Sequence, residues 1–233
     1  MSEELIKVTG LTKKYGAKTA LDNLSFTLPR GRIIGLLGPN GSGKTTLIKI
    51  ICGLLQPTAG EVTVGGHPIG IESKKVISYL PDTTYLGKSM KVSEIISYFK
   101  DFYADFDEMR AYDMLKKLGI SANDTLKTMS KGTKEKVQLI LVMSRRADIY
   151  ILDEPIAGVD PAARDYILDT IISNYDQNAS ILISTHLISD VENVLDDVIF
   201  LREGSIVRFS SVEEIRGVEG KSVDSLFREV FRC

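Results

Sequence analysis

Cysteine is scarce in this sequence. Only two of the 233 residues are cysteine, Cys52 within an apolar segment and Cys233 at the last position. Two cysteines so far apart do not make a disulfide framework, and we expect two free thiols in a reducing compartment. A small fold held together by disulfides is therefore excluded.

Long apolar runs are also missing. The runs "IIGLLG" (33–38) and "VQLILVM" (137–143) fall far short of the roughly 18 residues that span a bilayer. The first residues, "MSEELIKV", carry acids where a signal peptide carries bases, and no apolar segment follows them. We therefore expect that the protein works at a membrane only through a partner.

The charge is balanced, with no excess of either sign. The formal net charge is −2, and no block of like charge occurs, so we expect no nucleic-acid partner. With 43% apolar and 26% charged residues, the composition is ordinary for a globular protein. The length fits a single domain, 1–233, that contains an insertion.

Short apolar runs typical of strands alternate with segments of helical spacing, and this order predicts an α/β fold with a mainly parallel sheet. The predicted strands lie at 5–16, 24–31, 32–38, 61–66, 75–81, 148–155, 180–186 and 197–210, the last a hairpin that turns at Glu203 and Gly204. The predicted helices lie at 44–55, 92–119, 161–175, 187–195 and 223–231. Helical spacing from Val92 to about Met143 predicts an inserted helical subdomain, approximately 88–144.

The segment "GPNGSGKT" (38–45) fits the phosphate-loop pattern G-x-x-x-x-G-K-[ST] between a predicted buried strand and a helix. Its glycines let backbone N–H groups point at phosphate oxygens, Lys44 supplies a cation and Thr45 a hydroxyl for Mg²⁺. The alternative is a glycine-rich turn that binds nothing. The predicted ATP-binding residues here are Gly38, Pro39, Asn40, Gly41, Ser42, Gly43, Lys44, Thr45 and Thr46.

Two acids, Asp153 and Glu154, end the predicted strand "YILDEP". Alone they could mark only the solvated end of a strand. Beside a phosphate loop, Asp153 can hold Mg²⁺, and Glu154 can polarise the water that attacks a γ-phosphate.

With these motifs the whole chain resembles the nucleotide-binding subunit of an ATP-binding-cassette (ABC) transporter. "AGVD" (157–160) resembles the family loop that ends in an aspartate, here Asp160, and "STH" places His186 where the family has a switch histidine. Tyr15 in "KKYG" takes the adenine-stacking position, although the residues alone favour a core or edge-strand role. His67 matches no family motif, and we expect it at the surface.

"MSKGT" (129–133) stands where the family has its signature, "LSGGQ". The resemblance implies that two subunits pair head-to-tail, so that Ser130, Lys131, Gly132 and Thr133 face the γ-phosphate held by the partner's phosphate loop. A helix start also attracts anions by its own N–H groups. The alternative is an ordinary Ser-capped helix with solvated Lys131 and Lys134.

The resemblance implies a P-loop NTPase fold with a RecA-like core, an antiparallel β subdomain and the helical insertion. It implies a Mg²⁺-dependent ATPase with Lys44, Glu154 and His186 as catalytic residues. The implied partners are an integral membrane permease and a second ABC ATPase subunit, with the protein on the inner face of the cell membrane. The alternative is a soluble ABC ATPase that acts as an assembly or nucleic-acid-associated factor.

Two positions depart from the family pattern. Lys131 and Thr133 replace a glycine and the glutamine of the signature, and Asp82 in "YLPD" replaces a glutamine. Asp82 adds a third carboxylate near the acidic pair, and we expect it to contribute to the Mg²⁺ site. These departures and the short C-terminal helix resemble the exporter branch of the family, which favours efflux.

Overall fold

The structure, a computed structural model, describes residues 4–87, 89–176 and 178–231, so that Cys233 lies outside the described residues. The strands are β1 (Glu4–Tyr15), β2 (Lys18–Pro29), β3 (Ile33–Leu37), β4 (Ala59–Val64), β5 (His67–Pro68), β6 (Ile77–Leu80), β7 (Ile149–Asp153), β8 (Ser180–Thr185), β9 (Asp197–Arg202) and β10 (Ser205–Ser211). The helices are α1 (Lys44–Ile51), α2 (Ile71–Lys75), α3 (Val92–Phe102), α4 (Glu108–Lys117), α5 (Lys131–Met143), α6 (Pro161–Ser173), α7 (Ile188–Val191), α8 (Val212–Gly217) and α9 (Val223–Val230), with a 3-10 turn at Leu126–Thr128.

The larger sheet has six strands in the order β10-β9-β3-β8-β7-β6, and only β10 runs antiparallel to its neighbour. Every residue of β3, β7 and β8 is buried, because helices cover both faces of a parallel sheet. The carboxyl ends of these three strands therefore meet at one edge, where such sheets bind ligands.

The smaller sheet is antiparallel, with the order β2-β1-β4-β5. Its inner face packs with α1 and the larger sheet into one apolar cluster, which includes Leu11, Leu36 and Leu47. Cys52 is buried in the same cluster as a free thiol, as the sequence predicts. His67 is exposed on β5, also as predicted. The two sheets and their helices confirm the α/β fold.

Helices α3, α4 and α5 lie between β6 and β7 in the sequence, within the predicted helical segment. The structure divides the expected helix at 92–119 into α3 and α4, with a break after Phe102. The short helices α2 and α8 were not expected from the sequence. No helix in the described ranges is long and apolar enough to cross a bilayer.

Arg145, just after α5, joins this helical region to the larger sheet. Its buried guanidinium donates two hydrogen bonds to Asp105, at 3.1 and 3.0 Å. It also donates to the carbonyl oxygens of Ile77 at 2.5 Å and Lys75 at 2.7 Å, and it lies 4.0 Å from the Tyr103 ring centre. The end of α5 is therefore fixed to the beginning of β6 and to the α3–α4 connection.

Candidate functional site

The phosphate loop connects the buried β3 to α1. A Cβ atom at Gly38 would lie 2.4 Å from the Leu201 carbonyl oxygen, so the loop approaches β9 too closely for any side chain at this position. Gly43 precedes α1 with a φ of 112°, a conformation that glycine adopts at low cost, and no side chain caps the helix. The loop therefore leaves the start of α1 open to an anion.

Lys44 is buried at the start of α1. Its ammonium donates to the Gly38 carbonyl at 2.7 Å and lies 3.6 Å from Glu154 Oε1. Burial lowers the pKa of Lys44, and the nearby Glu154 carboxylate partly opposes that shift. Lys44 thus lies between the phosphate loop and the acidic end of β7.

Asp153, the last residue of β7, is completely buried. Its Oδ1 accepts hydrogen bonds from Ser184 at 2.5 Å and Thr45 at 3.3 Å, whereas its Oδ2 has no partner within the described residues. Burial is the main reason why the pKa of Asp153 is raised, and the charges of Asp82 and Glu154 add to it.

A free carboxylate oxygen beside the Thr45 hydroxyl is an oxygen-ligand arrangement that suits Mg²⁺. Among the described residues, no group of three or more His, Cys, Asp or Glu side chains could hold a metal ion alone. The residues therefore fit a Mg²⁺ that brings most of its ligands as phosphate oxygens and water.

Glu154 follows Asp153 with a φ of 51°, in the left-handed region that non-glycine residues seldom adopt. Its backbone N–H donates to the Ser184 carbonyl at 3.0 Å, which fixes this turn against β8. The carboxylate contacts His186 Nδ1 through both oxygens, at 3.2 and 3.0 Å. The predicted base and the predicted switch residue are therefore in direct contact.

A cleft of about 450 Å³ lies along the phosphate loop. Tyr15, at the end of β1, lines it with an exposed ring, and Lys13 Nζ lies 5.1 Å from the centre of that ring. Asp82, after β6, reaches the same cleft from the opposite side. The other predicted residues that line it are Asn40, Gly41, Gly43, Lys44, Thr45, Thr46 and Glu154.

The predicted signature forms the first turn of α5. Ser130 is exposed and caps this helix, since its hydroxyl accepts from the Thr133 N–H at 3.1 Å and contacts the Thr133 hydroxyl at 2.8 Å. No described atom outside its own helix lies within 4 Å of a Cβ built at Gly132. The side chain of Lys131 is 79% exposed and lies 3.7 Å from Glu135.

The loop that contains Asp160 connects β7 to α6. Arg164 holds it by donating from Nε to the Val159 carbonyl at 2.9 Å, while its N–H donates to the Asp160 carbonyl at 3.1 Å. A Cβ built at Gly158 would lie 3.3 Å from Lys131 Nζ. The first turn of α5 is therefore adjacent to this loop within one chain.

Sequence analysis did not predict two residues of the site. Ser184, on β8, binds both Asp153 and the Glu154 N–H, the latter at 3.2 Å. Its position two residues before His186 in "STH" is the only sequence signal for it. Gln138 is buried on the inner face of α5, and its polarity within an otherwise apolar helical run is the sequence signal that could have found it.

Comparison with known proteins agrees with this geometry. A profile of the ABC transporter family matches residues 21–157, more than half of the chain. An uncharacterized ABC transporter ATP-binding protein of Methanocaldococcus jannaschii is 35% identical over 215 residues, 90% of this chain and 79% of that protein. The SkfA peptide export ATP-binding protein SkfE of Bacillus subtilis is 34% identical over 212 residues, 88% of each chain.

A solved structure, described as the ATP-binding subunit of an ABC transporter, superposes with a TM-score of 0.87 at 30% identity. The match covers 98% of this chain and all of that one. The phosphate loop, the acidic end of β7 and the relatives thus agree: the chain belongs to the ABC transporter family, as an ATP-binding subunit with ATPase activity.

Proposed function

We propose that the chain powers an exporter by hydrolysing ATP between two ATPase subunits. The observation that carries this proposal is the contact between Glu154, Lys44 and His186 at one edge of the sheet, next to the open start of α1. This arrangement can bind a γ-phosphate and activate a water molecule beside it.

Each residue has a distinct part in the proposed reaction. The phosphate-loop N–H groups and Lys44 bind the β- and γ-phosphates, and Tyr15 stacks on the adenine. Glu154 accepts a hydrogen bond from the attacking water and orients it. His186, through its contact with Glu154, holds that carboxylate in place and contacts the γ-phosphate.

Thr45 and Asp153 would hold Mg²⁺, with Asp82 contributing a further oxygen. The ion, when bound, would neutralise charge on the phosphates. The unpartnered Asp153 Oδ2 supports this assignment, and Ser184 keeps the other oxygen of that carboxylate in a fixed direction.

The second half of the pocket comes from a second subunit. In the part of the chain that the structure describes, Ser130 is not among the residues that line the nucleotide cleft. It is exposed at the start of α5, where a neighbouring subunit can bring a phosphate to it. Ser130, Lys131, Gly132 and Thr133 would thus cover ATP bound to the partner, next to the Asp160 loop.

The similarity to a peptide export ATP-binding protein supports export as the direction of transport. An integral membrane permease would carry the substrate and hold this subunit at the inner face of the membrane. We retain the assignment of 1–233 to a single ATPase domain, with the helical subdomain at approximately 88–144. A role as an assembly or nucleic-acid factor is not favoured, because the relatives are transporter subunits and the net charge is slightly negative.

Replacing Glu154 with Gln tests the proposal. The substitution keeps the size of the side chain but removes the base, so that ATP binds and is hydrolysed slowly. We expect turnover to fall by roughly a thousandfold. Because bound ATP stabilises the dimer by mass action, the variant should elute as a persistent dimer from gel filtration in ATP and Mg²⁺.

Glu61→Gln is the matched control, since Glu61 is exposed on β4. It should hydrolyse ATP like the unchanged protein and remain monomeric. A Glu154→Gln variant that stays monomeric in ATP and Mg²⁺ would rule out the two-subunit pocket.

A further inference from the structure

A second cavity, of about 350 Å³, lies between the acidic end of β7 and the inner face of α5. Glu154 and His186 line it from the sheet, and Asp82 from the loop after β6. Glu135 and Gln138, three residues apart on α5, line it from the helical region. The signature helix therefore borders the catalytic carboxylate of its own chain as well as the proposed pocket of the partner.

Gln138 is anomalous in this cavity. It is 2% exposed, and its amide Nε2 has no hydrogen-bond partner among the described residues. A buried donor without an acceptor destabilises the protein, and the carboxamide is polar at a position where the neighbouring residues of α5 are apolar. A change that brings an acceptor to this donor would therefore be favourable.

Three carboxylates line the cavity, and two of them are already engaged. Glu154 contacts Lys44 and His186, and Glu135 pairs with Lys131. For Asp82 the described part of the chain provides no hydrogen bond. Among these three carboxylates, Asp82 is thus the one that is free to accept from the Gln138 amide.

The packing of α5 against β6 brings these two groups to the same cavity. Ser78 Oγ donates to the Val142 carbonyl at 2.8 Å, which fixes the helix against the strand. Gln138 lies one helical turn from Val142, and Asp82 lies four residues beyond Ser78. Since both line the same cavity, both segments run from this contact towards it.

We propose that Gln138 is a positioning residue for ATP hydrolysis. In the nucleotide-bound state its Nε2 donates to the Asp82 carboxylate and holds that side chain beside Glu154. The described residues leave this donor unpaired, so a bond that forms only with nucleotide bound favours the state that hydrolyses ATP. A carboxylate that serves a metal site is often oriented in this way by a neighbouring donor. The inference rests on the proposed function of Asp82 and Glu154.

Gln138→Leu removes the amide and keeps similar volume. We expect kcat to fall about tenfold while KM for ATP stays within about twofold, because ATP binding does not use the amide. The melting temperature of the nucleotide-free protein should stay the same or rise, since an unpaired buried donor has been removed. A melting temperature that falls together with kcat, or an unchanged kcat, would overturn the proposal.

Exchanging the two groups identifies the partner. Gln138→Glu places a carboxylate against Asp82, so that kcat should fall about a hundredfold, further than with Leu. Adding Asp82→Asn restores one donor and one acceptor in reversed order. The double variant should then exceed Gln138→Glu alone by at least about tenfold in kcat. A double variant no better than Gln138→Glu would show that Asp82 is not the partner.

Tyr79→Phe is the matched control, because the Tyr79 hydroxyl is also a buried polar atom without a described partner and does not line this cavity. It should leave kcat within about twofold. The unchanged protein and Glu154→Gln, assayed in parallel, separate the two proposals. If Glu154→Gln abolishes turnover and the Gln138 variants do not lower it, the proposed function stands and this inference fails.

Discussion

Two helices of this chain begin with small and cationic residues, and they satisfy their first N–H groups differently. At α1 the residue before the helix is Gly43, no side chain caps it, and the following Lys44 is buried. At α5 the preceding Ser130 caps the helix with its hydroxyl, and the following Lys131 points into solvent. One helix start has no side-chain cap, while in the other the hydroxyl of Ser130 already accepts a hydrogen bond from one N–H group.

The difference shows which half of the pocket a single chain assembles. The start of α1 is surrounded by buried charges, Lys44 and Asp153, whose burial disfavours their charged forms and which a phosphate and a metal ion, as proposed, would stabilise. Among the described residues, no charged group is buried at the start of α5, because its side chains are exposed and paired with residues of the same helix. The proposed function therefore requires that the energy for binding a phosphate at α5 come from the association of two subunits.

Asp153→Asn tests the buried charges beside the start of α1 and should have the largest effect. Hydrolysis should fall by roughly a thousandfold, as the carboxylate proposed to hold Mg²⁺ is lost. The nucleotide-free protein should nevertheless melt at a higher temperature at pH 7, since a buried charge has been removed. Both changes are measured on one sample, by a phosphate-release assay and by thermal unfolding.

The pH dependence of this stabilisation follows from the raised pKa of Asp153. The folded state binds the proton more readily than the unfolded state, so the carboxylate destabilises the fold above its folded pKa. That cost shrinks as the pH falls through the folded pKa and disappears below the ordinary value, 3.8. The gain from Asp153→Asn should therefore shrink as the pH falls towards 3.8. Asp113→Asn, an exposed control, should show no such gain.

Ser130→Ala tests the capped start of α5 and should have an intermediate effect. Loss of the helix cap should lower the free energy of unfolding by ~1 kcal/mol. If Ser130 also faces the partner's phosphate, kcat should fall by about a hundredfold while the affinity of the monomer for ATP is unchanged. Ser222→Ala is the control, because Ser222 caps α9 in the same way, at 3.1 Å. Equal kcat values for the two variants would leave Ser130 as a helix cap alone.

Lys131→Ala should have the smallest effect. An ion pair as exposed as that between Lys131 and Glu135 contributes less than ~0.5 kcal/mol. We expect kcat to change by less than about threefold, since the exposed ammonium is already paired with Glu135 and the variant keeps the backbone N–H groups that would cover the partner's ATP. A loss as large as that of Ser130→Ala would place the Lys131 cation in the partner's pocket instead.

The sequence predicts well what depends on local pattern. The continuous apolar runs identify β3 and β7, and the glycines of the phosphate loop lie at the predicted strand-to-helix turn. The family likeness predicts the family and the fold, and the profile match and solved structure confirm both. The individual site residues, such as Tyr15 and Asp82, remain predictions of role although the structure places them at one cleft.

Features that depend on contacts between distant segments could not be read from the sequence. The break between α3 and α4 is fixed by Arg145, about 40 residues further on, through Asp105. "KVQLILVM" shows Gln138 as a polar residue among apolar ones, but only the structure shows that its amide is buried and, within the described ranges, unpaired. Ser184 becomes a partner of Asp153 only because β7 and β8 pair in that register.

The contacts of Arg145 fix the C-terminal end of α5, so that the helix can rotate only about that end. The opposite end, at Ser130, lies ~20 Å away for a helix of 13 residues. A rotation of ~10° about the fixed end would move Ser130 by ~3.5 Å, which is more than the length of a hydrogen bond. Small rotations of α5 are thus enough to move the exposed Ser130 by more than the length of a hydrogen bond, with no need for the helix to unfold or slide.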